Sequence, residues 1–99
     1  MAHPAEAEGW QWDDHNESEL AAHRINPSEV LQVHTNGPTW VPNRRHRAGD
    51  WKMIGETEGG RALTVIVRYL EDQRLLRAIT GWDTTSGEHS RYAKGRRAP

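Results

Sequence analysis

The sequence has 99 residues, 34% of them hydrophobic, with five tryptophans, no phenylalanine and no cysteine. A chain of this length suits one domain around one lean core, and the lack of cysteine excludes disulfides, thiolate metal sites and cysteine nucleophiles. The formal net charge of -1 conceals an imbalance: residues 1–30 carry seven acidic groups and one basic group, whereas residues 31–99 carry seven and twelve.

In chain order, residues 1–8 are small, polar and acidic and are expected to form a disordered tail. A single α+β domain is expected over residues 9–94 and a basic tail over 95–99. Trp10-Gln11-Trp12 alternates as a short strand does, with both indoles on one face. Asp13 or Asp14 offers a cap to a thin helix docked by Leu20 and His23. Asn26-Pro27 is a sharper start signal, because Asn suits the N-cap and Pro the first helical position. Asn36-Gly37-Pro38 ends that second helix.

Thr39-Trp40-Val41 reads as a strand, followed by a loop with the basic run Arg44-Arg45-His46-Arg47. Strands are then predicted at Trp51–Gly55, Arg61–Tyr69 and Arg74–Thr80, joined by turns at Glu58-Gly59-Gly60 and Glu71-Asp72. A last helix is expected from Thr85 or Ser86 to Lys94. The predicted fold is α+β: a small antiparallel sheet, a three-strand meander plus short edge strands, with two N-terminal helices and one C-terminal helix.

Strand parity then sorts the side chains. A three-residue Glu58-Gly59-Gly60 loop places Trp51, Met53 and Gly55 opposite Val67, Val65 and Leu63, an apolar pairing throughout. A two-residue Glu71-Asp72 loop puts Leu76 and Ala78 on that same core face. Lys52, Arg68 and Arg77 then share the opposite face, with Thr64 nearby and Glu56 at its edge. Three cations brought together repel one another unless an anion lies among them.

The order of motifs resembles the BrnT family, ribonuclease toxins of bacterial type II toxin–antitoxin pairs with a RelE-like fold. The similarity lies in Trp12-Asp13 ahead of a helix and in Asn16 leading to Ala22-His23-Arg24-Ile25, where the family has Lys-His-Gly-Val/Ile. It continues through Asp50-Trp51-Lys52-Met53-Ile54-Gly55, Gly60-Arg61-Ala62-Leu63-Thr64-Val65-Ile66-Val67, Leu76-Arg77-Ala78-Ile79-Thr80 and Glu88 to Tyr92. The resemblance implies an RNA substrate, a cognate antitoxin and a hetero-oligomer with it. It carries over Arg77 in place, Arg61 as a turn residue, Tyr92 as an acid and His23. Two departures stand out: Asp50 occupies the position of a family arginine, and Trp82 that of a basic residue.

Metal-free RNA cleavage needs a base for the 2′-OH, an acid for the leaving 5′ oxygen and cations around the phosphate. The candidate catalytic residues are Arg77, Arg68, Lys52, His89 and Tyr92, with His89 one helical turn from Tyr92. Arg44, Arg45, His46, Arg47, Arg61 and Arg91 are candidates for holding RNA; the arginines around His46 favour its neutral base form. None of the six histidines has a metal-ligand spacing, so neither metal nor cofactor is expected. The longest apolar run, Leu63 to Val67, contains Thr64 and is far short of a bilayer span, and the first residues lack the pattern of a secretory signal. A cytoplasmic metal-independent endoribonuclease toxin is the leading expectation. The alternative is a non-catalytic binding module of the same fold that holds an acidic partner segment.

Overall fold

The computed structural model describes residues 3–43 and 50–90. Both long helices begin at reciprocal caps. Asp13 accepts from the Asn16 amide at 2.9 Å while the Asn16 side chain accepts from the Asp13 amide at 2.8 Å, which opens helix α1 (Asp14–Ala21). Asn26 and Glu29 make the same exchange at 2.9 and 3.1 Å around Pro27, opening α2 (Pro27–Thr35). Between the helices Arg24 turns left-handed, with φ 60°, and the Ile25 amide reaches back to the Leu20 carbonyl at 3.0 Å. That closure drives Ile25 onto Leu20, and both are buried. Gly37, at φ 73°, ends α2 where the Asn-Gly-Pro signal predicts.

The five strands are β1 (Gly9–Gln11), β2 (Thr39–Pro42), β3 (Trp51–Glu56), β4 (Ala62–Leu70) and β5 (Leu75–Asp83), in the sheet order β1-β5-β4-β3-β2. Neighbours from β2 to β5 are antiparallel, and β1 pairs parallel with β5, so the sheet is mixed. Residues 86–90 are helical, which completes a β-α-α-β-β-β-β-α order. The β3–β4 register is as predicted: Trp51, Met53 and Gly55 face Val67, Val65 and Leu63. Thr57 donates to the Arg61 carbonyl at 2.9 Å, and Gly60, at φ 87°, supplies the left-handed residue of this three-residue loop.

The next hairpin differs from the prediction. Leu70 pairs with Leu75, so the loop is Glu71-Asp72-Gln73-Arg74, closed by hydrogen bonds from Gln73 to Leu70 and from Arg74 to Glu71. Two extra loop residues shift the pairing by two and leave the facing unchanged, so Leu76 and Ala78 still point into the core. A bulge follows. Ile66 pairs with Thr80 but Val67 with Ala78, leaving Ile79 as the extra residue. Beyond it the parity of β5 reverses, so Gly81 turns to the core side and Trp82 to the other.

Helices α1 and α2 cover one face. Leu20, Ile25, Val30 and Val33 pack on Met53, Leu63, Val65, Val67, Leu76 and Ala78. The tail expected over residues 1–8 is instead partly built into the fold: Pro4–Glu6 form a 3-10 turn with Pro4 buried, and the His3 ring lies 4.9 Å from that of Trp51. The apolar cover that Trp51 and Trp40 offer gives this short acidic segment something to pack on. The expected basic tail, 95–99, lies outside the described residues.

Candidate functional site

On the sheet face away from α1 and α2, alternation brings out Lys52 from β3, Arg68 from β4 and Arg77 from β5. Arg68 and Arg77 are direct cross-strand partners, and Lys52 pairs with Ile66, two residues before Arg68. The predicted common face is therefore present, but its charge is already answered from within the chain. The Arg77 guanidinium holds Asp13, at 2.8 Å to Oδ2 and 3.1 Å to Oδ1, and donates to Gln11 at 3.0 Å. That guanidinium, with the Asn16 amide second, holds the Asp13 carboxyl at a pKa of about 2. Lys52 lies 3.6 Å from Glu88. Arg68 is exposed at the open end of this face.

Glu88 is the hub of the other end. It comes from the helix at 86–90 and reaches down to the sheet. Its Oε1 accepts from the Thr64 hydroxyl at 2.9 Å, from the Trp82 indole N–H at 3.0 Å and from the Thr85 amide at 3.0 Å. Burial opposes ionisation of this carboxyl, yet the bonds from Thr85, Trp82 and Thr64 outweigh it and hold its pKa below the usual value. Trp82, the residue standing where the resemblance has a base, thus anchors a carboxylate. Beneath this contact Ile54, Thr64 and Ile66 are buried although they point away from the main core. Beside it, Val41, Lys52, Ile54, Thr85, Gly87 and Glu88 line a pocket of about 350 Å³.

The remaining predicted site residues fall elsewhere. Arg61 ties α2 to the sheet: it bonds Asp83 at 2.9 Å, Glu29 at 3.0 Å and the Arg24 carbonyl at 2.7 Å. Hydrogen bonding to Asp83 and then Glu29 raises its pKa further, against the effect of burial. All its visible partners are internal, so its evident role is to join elements. His89 is exposed on the helix at 86–90, and His23 is exposed beside Glu19, at 3.4 Å, rather than docked as expected. Arg44, Arg45, His46, Arg47, Arg91 and Tyr92 lie outside the described residues.

Asp13 and Glu88 are the site-forming residues that the charge pattern alone did not reveal. The signal for Glu88 is in the sequence: Thr85-Ser86-Gly87-Glu88 is a capping box, and the Glu88 amide does donate to the Thr85 hydroxyl at 3.3 Å. A second polar cluster sits on the helix side. His34 accepts the Trp10 indole N–H on Nδ1 at 3.1 Å, inside a chain of rings that runs from Trp12 through Trp10 and His34 to Trp40. Burial lowers the His34 pKa.

Among the described residues no three His, Asp or Glu side chains are grouped to hold a metal ion, and no helix is long and apolar enough to cross a membrane. No protein-family model matches the sequence, and no curated protein matches it significantly.

Proposed function

We propose that the chain is a metal-independent endoribonuclease with a RelE-like fold, similar to the BrnT toxins, and that a cognate antitoxin restrains it. The observation that carries this reading is the direct cross-strand pairing of Arg68 with Arg77 on the sheet face opposite the helices. Two guanidinium groups set side by side on one face match the paired non-bridging oxygens of a phosphodiester, which accept charge-assisted hydrogen bonds from both. The β-α-α-β-β-β-β-α order and the motifs spread along it support the same reading.

Asp13 is half exposed. An ion pair of that kind is worth little and yields to competition, so an RNA backbone with many phosphates can displace the carboxylate from Arg77. In this mechanism the two guanidinium groups stabilise the pentavalent phosphate, with Lys52 as a third cation and His89 and Tyr92 as proton carriers. The test is incubation of the purified chain with RNA beside an Arg77→Ala control. Cleavage by the parent and loss of at least roughly 100-fold in the control is expected, the scale of removing one transition-state donor. Intact RNA at high enzyme excess overturns the reading.

A second reading has its own observation. Lys52 and Arg77 already hold carboxylates, so this face fits acidic side chains as it stands. A non-catalytic module that binds an acidic segment of its partner uses that fit, and Asp50 and Trp82 in place of bases favour it. Co-purification with the product of the adjacent gene, together with intact RNA, is the outcome that selects it.

A further inference from the structure

The pocket between β2, β3 and the helix at 86–90 combines three features. Its apolar wall is Val41 and Ile54. At its polar side, Glu88 spends its two oxygens unequally. Oε1 takes three bonds of 2.9–3.0 Å, whereas among the described residues Oε2 meets only the Trp82 indole at 3.4 Å and the Lys52 ammonium at 3.6 Å. Both of those lie beyond a good N–H···O distance. An oxygen with unspent lone pairs therefore stands beside an ammonium group with unspent donors.

Such a pair suits a ligand edge that offers an N–H next to a carbonyl: the N–H donates to Oε2 and the carbonyl accepts from Nζ. The apolar wall suits a ring laid against it. A volume of about 350 Å³ lies at the small end of ligand sites, which run from roughly 300 Å³ upward. RNA presents that combination when a single-stranded base is splayed out and read on its Watson–Crick edge. Between the two purines guanine fits, because its ring N–H donates to Oε2 while the adjacent O6 accepts from the lysine, whereas adenine presents an acceptor at that ring nitrogen.

We propose that this pocket is a nucleobase site selective for guanine over adenine, with Glu88 and Lys52 reading the base edge and Val41 and Ile54 holding its ring. The proposal rests on the ribonuclease reading for its substrate class, since it gives that enzyme a base preference. The pocket is separate from the Arg68–Arg77 pair, so a bound guanine at one end of the face fixes which phosphate reaches the other end.

The test uses the full chain and two mononucleotides, guanosine 5′-monophosphate and adenosine 5′-monophosphate, which share the phosphate and differ in the base. Binding is followed by the Trp82 indole N–H resonance, since that group bonds Glu88. The guanosine nucleotide is expected to shift the resonance saturably and to bind at least roughly tenfold more tightly than the adenosine one, the scale of one charge-assisted hydrogen bond. Glu88→Gln is expected to erase the preference. Because that change also touches the helix cap, Val41→Trp fills the pocket while leaving the Glu88 bonds in place, and it should weaken guanosine binding by a similar factor. Equal affinity for both nucleotides, no saturable shift, or unaltered binding by Val41→Trp overturns the proposal. A chain that binds the guanosine nucleotide but leaves RNA intact keeps the pocket and loses the nuclease. A chain that cuts RNA without binding it does the reverse.

Discussion

The Asp13 carboxylate caps α1 through Asn16 and holds Arg77 through both oxygens, so protonating it undoes two contacts together. Its pKa of about 2 lies below the ordinary 3.8, so its contribution is complete above about pH 4 and fades as the pH falls toward 2. Acid unfolding of Asp13→Asn, which keeps a capping oxygen, should lack the loss of stability that the parent shows in that window. The same variant leaves Arg77 unopposed and should bind RNA more tightly, with a steeper dependence on salt. His34 works in the opposite range. Its pKa is depressed by burial, so its stabilising contribution is full above the usual 6.5 and falls as the pH drops below it, when Nδ1 can no longer accept from Trp10. Thermal melts between pH 7 and 5 should show that decline, and His34→Asn, which retains an acceptor, should flatten it. Arg24 holds a left-handed backbone, at φ 60°, in the turn between α1 and α2. Left-handed geometry costs a side-chain-bearing residue about 1–2 kcal/mol, and glycine returns about 0.4–1 kcal/mol of that through the unfolded chain. Arg24→Gly should therefore stabilise the protein by about 0.5–1 kcal/mol in urea titrations.

At the level of elements, the caps at Asp13 and Asn26, the glycine stop at Gly37 and the three-residue β3–β4 loop were all legible, because each depends on a few neighbouring residues. The β4–β5 loop was misjudged by two residues because a shift of two preserves every facing, and hydrophobic alternation cannot detect it. The bulge at Ile79 was missed for a related reason: no local motif marks it. Its trace is Gly81. A Cβ there would stand 3.0 Å from the Thr64 carbonyl oxygen and 3.2 Å from Ile25, and a lone glycine inside a strand is a recognised sign of a bulge or close approach. Gly81→Ala should cost about 1–3 kcal/mol by overpacking, readable as a lower urea midpoint. Arg61 is the other joint between elements, holding the start of α2 and the α1–α2 turn against the end of β5. Arg61→Ala should cost about 1–2 kcal/mol through the lost charged hydrogen bonds. Arg61→Lys should recover little of it, because an ammonium cannot fork to Asp83 and Glu29 while also reaching the Arg24 carbonyl.

Over the whole molecule, part of the charge imbalance of the sequence is met by folding among the described residues. Acids of the first thirty residues meet bases of the later strands: Glu8 with Arg74, Asp13 with Arg77, and Glu29 with Arg61. The imbalance pointed to an anionic partner, and the chain supplies part of that partner itself. Parity located Lys52, Arg68 and Arg77 on one face, but composition could not say that the cap of α1 brings a carboxylate to Arg77 and the helix at 86–90 one to Lys52, since those contacts span long stretches of chain. One further consequence follows from where β1 lies. Its partner is β5, with Gln11 bonded to a residue 66 positions later, and α1 also packs on β5. β1 leaves the ribosome well before β5 and waits for it before it can settle. Until then Trp10 and Trp12 have no sheet to join, and nascent chains stalled short of Leu75 should be captured by chaperones that bind exposed aromatic segments.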